Sequence, residues 1–276
     1  MTNFRMSKWR GGEKQLSHTL HSSFGNSEFV ICPRAVTEGR VDPTPEWLPI
    51  LRSQLEQRRD PWVLLEGQGQ VEAALAGWWE VPGVAMAEGH PWEPPLWSGL
   101  EVLRLPAAEL DAMGEPARHG GIIGLAKLPK ETVELAAFVK SLEPDALLLV
   151  CPRAGDPAAL GEWIRLAAAA DAAGVFIGAE GTSPFEAQAV AASQGEVFKL
   201  PVKVADAGLI LRCLMAGKFY LLGLGGDDAT EVEAPEGRRA LVVPGEGGLD
   251  GFWRKACDRL VSASVDDALK MLLEAV

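Results

Sequence analysis

The chain has 276 residues, 47% of them hydrophobic, which excludes a disordered protein and suits one large α/β domain or two smaller ones. It contains no run of about 18 uncharged apolar residues, so no membrane-spanning helix is expected. The net charge of −12 weighs against a protein that holds nucleic acid by overall electrostatics.

The charge is unevenly distributed. Residues 1–40 carry six Lys or Arg against three Glu, a net charge of +3, and since the whole chain carries −12 the rest carries −15. Any RNA contact must therefore come from local basic spots, such as this segment, Arg58–Arg59 or Lys127–Lys130. Solvated surface charges are the alternative explanation of the same residues.

The N-terminus lacks an apolar segment behind its charges, so no secretory signal is predicted. Four isolated cysteines without C-x-x-C spacing favour a reducing cytoplasm and argue against a cysteine metal site: Cys32, Cys151, Cys213 and Cys257. His18 and His21 could share a helix face, but no third ligand lies near them in sequence. We therefore predict a cytoplasmic protein without a metal.

Residues 1–44 have few periodic apolar positions and are interpreted as an extension. The next 84 or so residues alternate apolar patterns in the order helix (47–59), strand ("PWVLLEG"), helix ("QVEAALAGWW") and three strands ("GVAMAEG", "LEVLRLP", "GGIIGLAKL"). This order predicts a small α/β domain over residues 45–128. A linker with a helical middle follows over residues 129–143.

From residue 144 to residue 276 strands alternate with helices. Asp156 is predicted to cap a helix that Gly174 ends, and Ser183 to cap one that Gly195 follows. "EVFKLPV" is predicted as a strand. This alternation predicts a parallel sheet covered on both faces, with ligands at the carboxyl ends of its strands, in loops 151–157, 178–183, 200–206, 223–236 and 244–250.

The last of these loops is the most distinctive. An apolar strand, "ALVV", ends at Pro244, and Gly245 to Gly248 follow with Glu246 among them. Glycines permit tight turns and let backbone N–H groups approach a ligand closely. A carboxylate there is unsuited to a phosphate and compatible with a cationic ligand; a turn that binds nothing is the alternative.

Five segments, in order, resemble the SpoU-type RNA 2′-O-ribose methyltransferases of the SPOUT superfamily. "LLVCPRAGDPAALGEWIRLAAAADAAGVFI" resembles their first motif, "SPFEAQAVAASQGEVFKLPV" the stretch after it, and "RALVVPGEGGL" their second motif. "LLEGQGQVEAALAGWWEV" and "EPARHGGIIGLAKLP" are similar to signatures of the substrate-binding domain. The resemblance covers residues 45–265.

The resemblance implies a deep trefoil knot, a homodimer, S-adenosylmethionine as methyl donor, and methylation of a ribose 2′-OH in rRNA or tRNA. It implies that Arg165 binds the phosphate or the attacking oxygen and that Glu246 supports the active-site arrangement. It places the cofactor against Gly178, Ala179, Gly223, Leu224, Val243, Gly245, Gly247 and Leu249.

The chain departs from the family pattern at three places. Ala159 stands where the first motif has Asn, Pro244 stands where Gly is usual, and "RLVSASVDDALKMLLEAV" lacks the Pro and Ser-Leu-Asn of the third motif. Two alternatives therefore stay open: a catalytically silent relative that binds RNA or a protein, and an unrelated doubly wound nucleotide-binding enzyme. The tryptophans mostly indicate packing, although Trp78 and Trp79 could stack on bases.

Overall fold

The computed structural model describes residues 44–56, 61–130, 134–225 and 236–273. The predicted extension lies outside these ranges apart from Thr44, with its basic residues, His18, His21 and Cys32, and so does Arg58–Arg59. Residues Thr44–Val276 form one compact unit. Among the described helices, none combines the length and apolar character needed to cross a membrane.

The first part of this unit is built on a four-stranded sheet. Its elements are α1 (Trp47–Glu56), β1 (Trp62–Glu66), α2 (Gln68–Ala76), β2 (Glu80–Ala87), β3 (Glu101–Leu105), α3 (Ala107–Asp111), α4 (Pro116–His119) and β4 (Ile122–Lys127). The strand order is β1-β4-β2-β3, with β4 antiparallel to both neighbours and β2 parallel to β3. The four predicted strands and two predicted helices are confirmed; the short helices α3 and α4 were not foreseen.

The second part is a six-stranded, fully parallel sheet of order β10-β8-β9-β5-β6-β7. Its elements are α5 (Leu135–Ser141), β5 (Leu147–Cys151), α6 (Pro157–Ala169), β6 (Gly174–Gly178), α7 (Ala187–Ala192), β7 (Val202–Ala205), α8 (Ala207–Ala216), β8 (Tyr220–Leu224), β9 (Arg239–Val242), α9 (Gly251–Ala256), β10 (Arg259–Val261) and α10 (Val265–Leu273). The predicted mixed α/β class with a parallel sheet is confirmed. The trefoil knot stays a prediction.

Both faces of the parallel sheet are covered, as the sequence pattern predicts. Leu147 and Leu149 of β5 belong to one apolar cluster, with residues of α6 and α10. The alternate residues Leu148 and Val150 belong to the other cluster, with residues of α8 and α9. Because successive strand side chains point to opposite faces, a strand buried on both faces needs the continuous apolar run that β5 has.

The two sheets share a core. One apolar cluster runs from Val63 of β1 through α2 to the helices and strands of the parallel sheet. Trp79, which follows α2, donates a hydrogen bond from Nε1 to the carbonyl oxygen of Phe198 at 3.0 Å. The division into a domain over 45–128, a linker over 129–143 and a domain over 144–276 stays a prediction, since the contacts make residues 44–276 one unit.

Three local predictions were wrong. α6 ends at Ala169 because Asp171 adopts the left-handed region, φ 50°, and Gly174 instead begins β6. Ser183 does not cap α7; its hydroxyl accepts from the backbone N–H of Phe185, and Glu186 precedes the helix. "EVFKLPV" forms a 3₁₀ turn over Glu196–Phe198 before β7 begins, so the predicted ligand loop 200–206 is mostly strand.

Candidate active site

Loops from three neighbouring strands cross at the carboxyl edge of the parallel sheet. A Cβ added to Gly178, at the end of β6, would lie 1.8 Å from the carbonyl oxygen of Pro152, which follows β5. A Cβ added to Gly245, after β9, would lie 2.0 Å from the carbonyl oxygen of Arg153. Neither glycine has a positive φ. The close backbone approach alone therefore requires glycine at both positions.

Glu246 sits in a tight turn at this crossing. The N–H of Gly248 donates to the carbonyl oxygen of Gly245 at 3.1 Å, and Gly247 has φ 90°, the combination of a type II turn. The exposed side chain of Glu246 extends over the first-motif loop, where its Cγ lies 2.9 Å from the Cβ position of Gly155. The second-motif carboxylate thus lies directly against the first motif.

A cavity of about 200 Å³ opens beside this turn, lined by Pro152, Arg153, the loop 245–250 and Trp253. Asp250 is already engaged, because its carboxylate accepts from two backbone N–H groups at the start of α9. Arg153 pairs with Glu180 at 2.8 Å, and both are exposed. Glu246 has no hydrogen-bond partner among the described residues. Its carboxylate is therefore available to a ligand in the cavity.

The predicted cofactor residues lie at the carboxyl ends of β6, β8 and β9. Ala179 donates its N–H to the carbonyl of Ala205, and Val243 donates to Val150. Gly223 and Leu249 contact each other, since a Cβ on Gly223 would lie 3.0 Å from Leu249 Cδ1. The remaining predicted residue, Leu224, is buried. The structure therefore gathers all eight positions along one sheet edge, while their binding of a cofactor stays a prediction.

Arg165 occupies a different environment. Its guanidinium, about one third exposed, donates two hydrogen bonds to Glu162 one turn earlier on α6, at 2.9 and 2.5 Å. The hydrogen bond from Arg165 lowers the pKa of Glu162, and the same pair raises the pKa of Arg165. Asp266, at the start of α10, adds a smaller electrostatic contribution. Within the described residues no hydrogen bond or ion pair joins Arg165 to Glu246, so the structure does not bring the two predicted catalytic residues into contact.

Arg153 and Glu180 were missed by sequence reasoning. Each lies two residues after its strand, Arg153 after β5 and Glu180 after β6, and their salt bridge joins the two loops. The available signal was position: in a parallel sheet, a charged residue just after a buried strand lies at the ligand edge. Asp250 carried a recognisable signal too, since Asp before a helix is a preferred N-cap residue.

No protein-family profile matches the chain. The chain is 31% identical over 181 residues to a 23S rRNA (guanosine-2′-O-)-methyltransferase RlmB of Xanthomonas campestris, covering 63% of this chain and 72% of that protein. The chain belongs to the SpoU-type RNA 2′-O-ribose methyltransferase family.

Solved structures of similar fold agree with this SpoU-type membership. A crystal structure of an RNA 2′-O ribose methyltransferase is 26% identical, with a TM-score of 0.67, covering 82% of this chain and 94% of that one. The SpoU methyltransferase AviRb from Streptomyces viridochromogenes, in complex with AdoMet, is 20% identical with a TM-score of 0.66, covering 82% and 95%. At 20% identity, the similarity to AviRb shows only that the two chains share a fold. This SpoU-type chain thus shares the fold of both solved structures over 82% of its length.

Proposed function

We propose that this protein transfers a methyl group from S-adenosylmethionine to a ribose 2′-OH of rRNA or tRNA. The observation that carries the proposal is the 31% identity to a 23S rRNA (guanosine-2′-O-)-methyltransferase over 72% of that relative. An unrelated nucleotide-binding enzyme is set aside by the family membership. A catalytically silent relative is the less favoured alternative, since the curated relative is named for the reaction.

The crossing of loops suits such a methyl donor. When bound, S-adenosylmethionine supplies an electrophilic methyl group on a positively charged sulfur. Glu246, a carboxylate without a described partner, provides the opposite charge beside the cavity. The backbone of Gly247 can contact a ligand, because no Cβ covers it and nothing lies within 4 Å of the position that a Cβ would take. These features support the cofactor; the eight predicted positions remain its proposed contacts.

Arg165 is proposed to bind the RNA phosphate or the developing alkoxide of the attacking ribose. A guanidinium stays charged at any physiological pH and offers a fork of donors that matches phosphate geometry. For this role Arg165 must break its ion pair with Glu162 and bind RNA in its place. That exchange costs little, because solvent screens an ion pair at the protein surface.

The departures from the family pattern lead us to expect weak cofactor binding. Ala159 has no polar side chain to donate or accept a hydrogen bond. The connection from β10 to α10 is only residues 262–264, which shortens the wall opposite the glycine turn. Family membership also supports a knotted, homodimeric, cytoplasmic protein as a proposal. Light scattering of the purified chain tests the dimer.

The decisive experiment incubates the protein with tritiated S-adenosylmethionine and purified rRNA or tRNA. We expect label in RNA, at a position that resists alkaline cleavage because its 2′-OH is methylated. Arg165→Ala should abolish transfer, whereas Arg212→Ala, which removes an exposed arginine from α8, should not. Binding of RNA without any transfer would instead support the silent relative.

A further inference from the structure

A second concave surface lies away from the loop crossing. It is a groove of about 550 Å³, within the roughly 300–1,000 Å³ of ligand sites, where the end of the four-stranded sheet meets the 3₁₀ turn and β7. Four aromatic side chains and three lysines line it, and none of its lining residues among those the structure describes carries a carboxylate. We call it the β7 groove. Its composition is unusual for a chain of net charge −12.

The aromatic floor of the β7 groove is held rigidly. Trp79 is fixed by the hydrogen bond from its Nε1 to Phe198, and its ring meets that of Phe198 edge-on at 5.0 Å. Phe185 lies 5.5 Å from Trp79 between ring centroids. Both Trp79 and Phe185 remain half-buried, so part of each ring faces the groove. Pre-positioned rings stack on nucleobases of any sequence without losing much side-chain entropy.

The three lysines supply the positive charge. Lys203 Nζ lies 5.6 Å from the ring centroid of Phe138, which places a cation beside an aromatic wall. Lys130 is exposed at the groove's other side. Lys199 pairs with Glu196 at 2.9 Å, but both side chains are partly exposed, so the pair is weak and exchangeable. Aromatic surface flanked by lysines is the combination that binds single-stranded nucleic acid.

We propose that the β7 groove binds an unpaired RNA segment, with bases on Trp79 and Phe185 and phosphates at Lys130 and Lys203. The inference rests on the proposed function, which makes RNA the partner. β7 is an edge strand, and its Lys203 discourages pairing with a protein strand while attracting an anion. Val202, Lys203 and Val204 of β7 line the groove, so it ends one residue, about 3.3 Å along the strand, before the carboxyl edge at Ala205. The groove therefore holds nucleotides flanking the modified one.

The test is direct RNA binding, measured without any methyl donor. Fluorescence anisotropy would follow a labelled, unstructured oligoribonucleotide of about 12 nucleotides, a length within known single-strand site sizes. Each lost phosphate contact lowers the slope of log affinity against log salt concentration by about 0.7. At 0.1 M salt this corresponds to about 5-fold weaker binding. Lys130→Ala/Lys203→Ala should thus bind about 25-fold more weakly. Phe185→Ala should lose roughly 5- to 150-fold with an unchanged salt slope.

The matched control is Lys140→Ala/Lys218→Ala, which removes two exposed lysines outside the groove. It should bind within about twofold of the wild type. The proposal is overturned if the groove variants keep wild-type affinity and salt slope, if the control pair loses as much, or if the folded wild-type chain binds no RNA. RNA binding that depends on the groove without methyl transfer would refute the proposed function and leave this inference standing.

Discussion

Two glycine-to-alanine substitutions, at Gly245 and at Gly251, should have opposite effects on the free energy of unfolding. The Cβ of Gly245→Ala would lie 2.0 Å from the carbonyl oxygen of Arg153, where ordinary contact begins at 3.4 Å. The two loops would have to separate by the difference, 1.4 Å, at the point where first and second motif cross. Overpacking of this size typically costs about 1–3 kcal/mol. We expect about 2 kcal/mol, because backbone atoms cannot rotate aside.

Gly251→Ala is the matched control. Gly251 begins α9, and an added Cβ meets nothing within 4 Å. Replacing a glycine by alanine in a helix stabilises by about 0.5–1 kcal/mol, less at an end position. Both variants add one methyl group to the same loop region, so their difference isolates the crossing with Arg153.

Urea unfolding followed by tryptophan fluorescence measures both effects. With a slope of about 3 kcal/mol/M, a loss of 2 kcal/mol lowers the midpoint by about 0.7 M. Gly245→Ala should also abolish S-adenosylmethionine binding under conditions where the variant is fully folded. An unchanged midpoint for Gly245→Ala, or equal shifts for the two variants, would refute the inferred crossing.

Three further outcomes are expected. Arg165→Lys keeps the charge but loses the fork of donors, so kcat/KM for methyl transfer should fall about 10- to 100-fold. Glu162→Gln should leave kcat/KM within a few-fold of the wild-type value. Burial raises the pKa of Cys257 to about 12, so above pH 9 this thiol ionises in the unfolded chain and not in the folded one. Its contribution lowers the free energy of unfolding by up to about 1.4 kcal/mol per pH unit. Because burial also raises the pKa of Cys151 and Cys213, Cys257→Ala should reduce the slope in urea midpoints at pH 8, 9 and 10 without abolishing it. Trp79→Phe leaves the Phe198 carbonyl unpaired and should lower the free energy of unfolding by about 1–3 kcal/mol, with no loss if that carbonyl is solvated instead.

Local patterns in the sequence predicted most of the elements. The continuous apolar run of β5 and the Asp156 cap of α6 are short-range signals, and both are confirmed. The helix ends were less predictable, since Asp171 turned the chain three residues before Gly174. A turn can use any residue that tolerates a positive φ, so glycine is a strong but not a necessary marker.

Part of the candidate site could likewise be predicted from the sequence, and part could not. Sequence order and motif resemblance identified Arg165, Glu246 and the glycine loop, because these depend on residue type and spacing along the chain. The contact of Glu246 with the first-motif loop and the engagement of Arg165 by Glu162 emerge only from the folded chain. The β7 groove likewise joins side chains more than 100 residues apart, from Trp79 to Lys203. Such placements follow from strand order and the packing of the two sheets, which join distant segments through contacts that no local periodicity encodes.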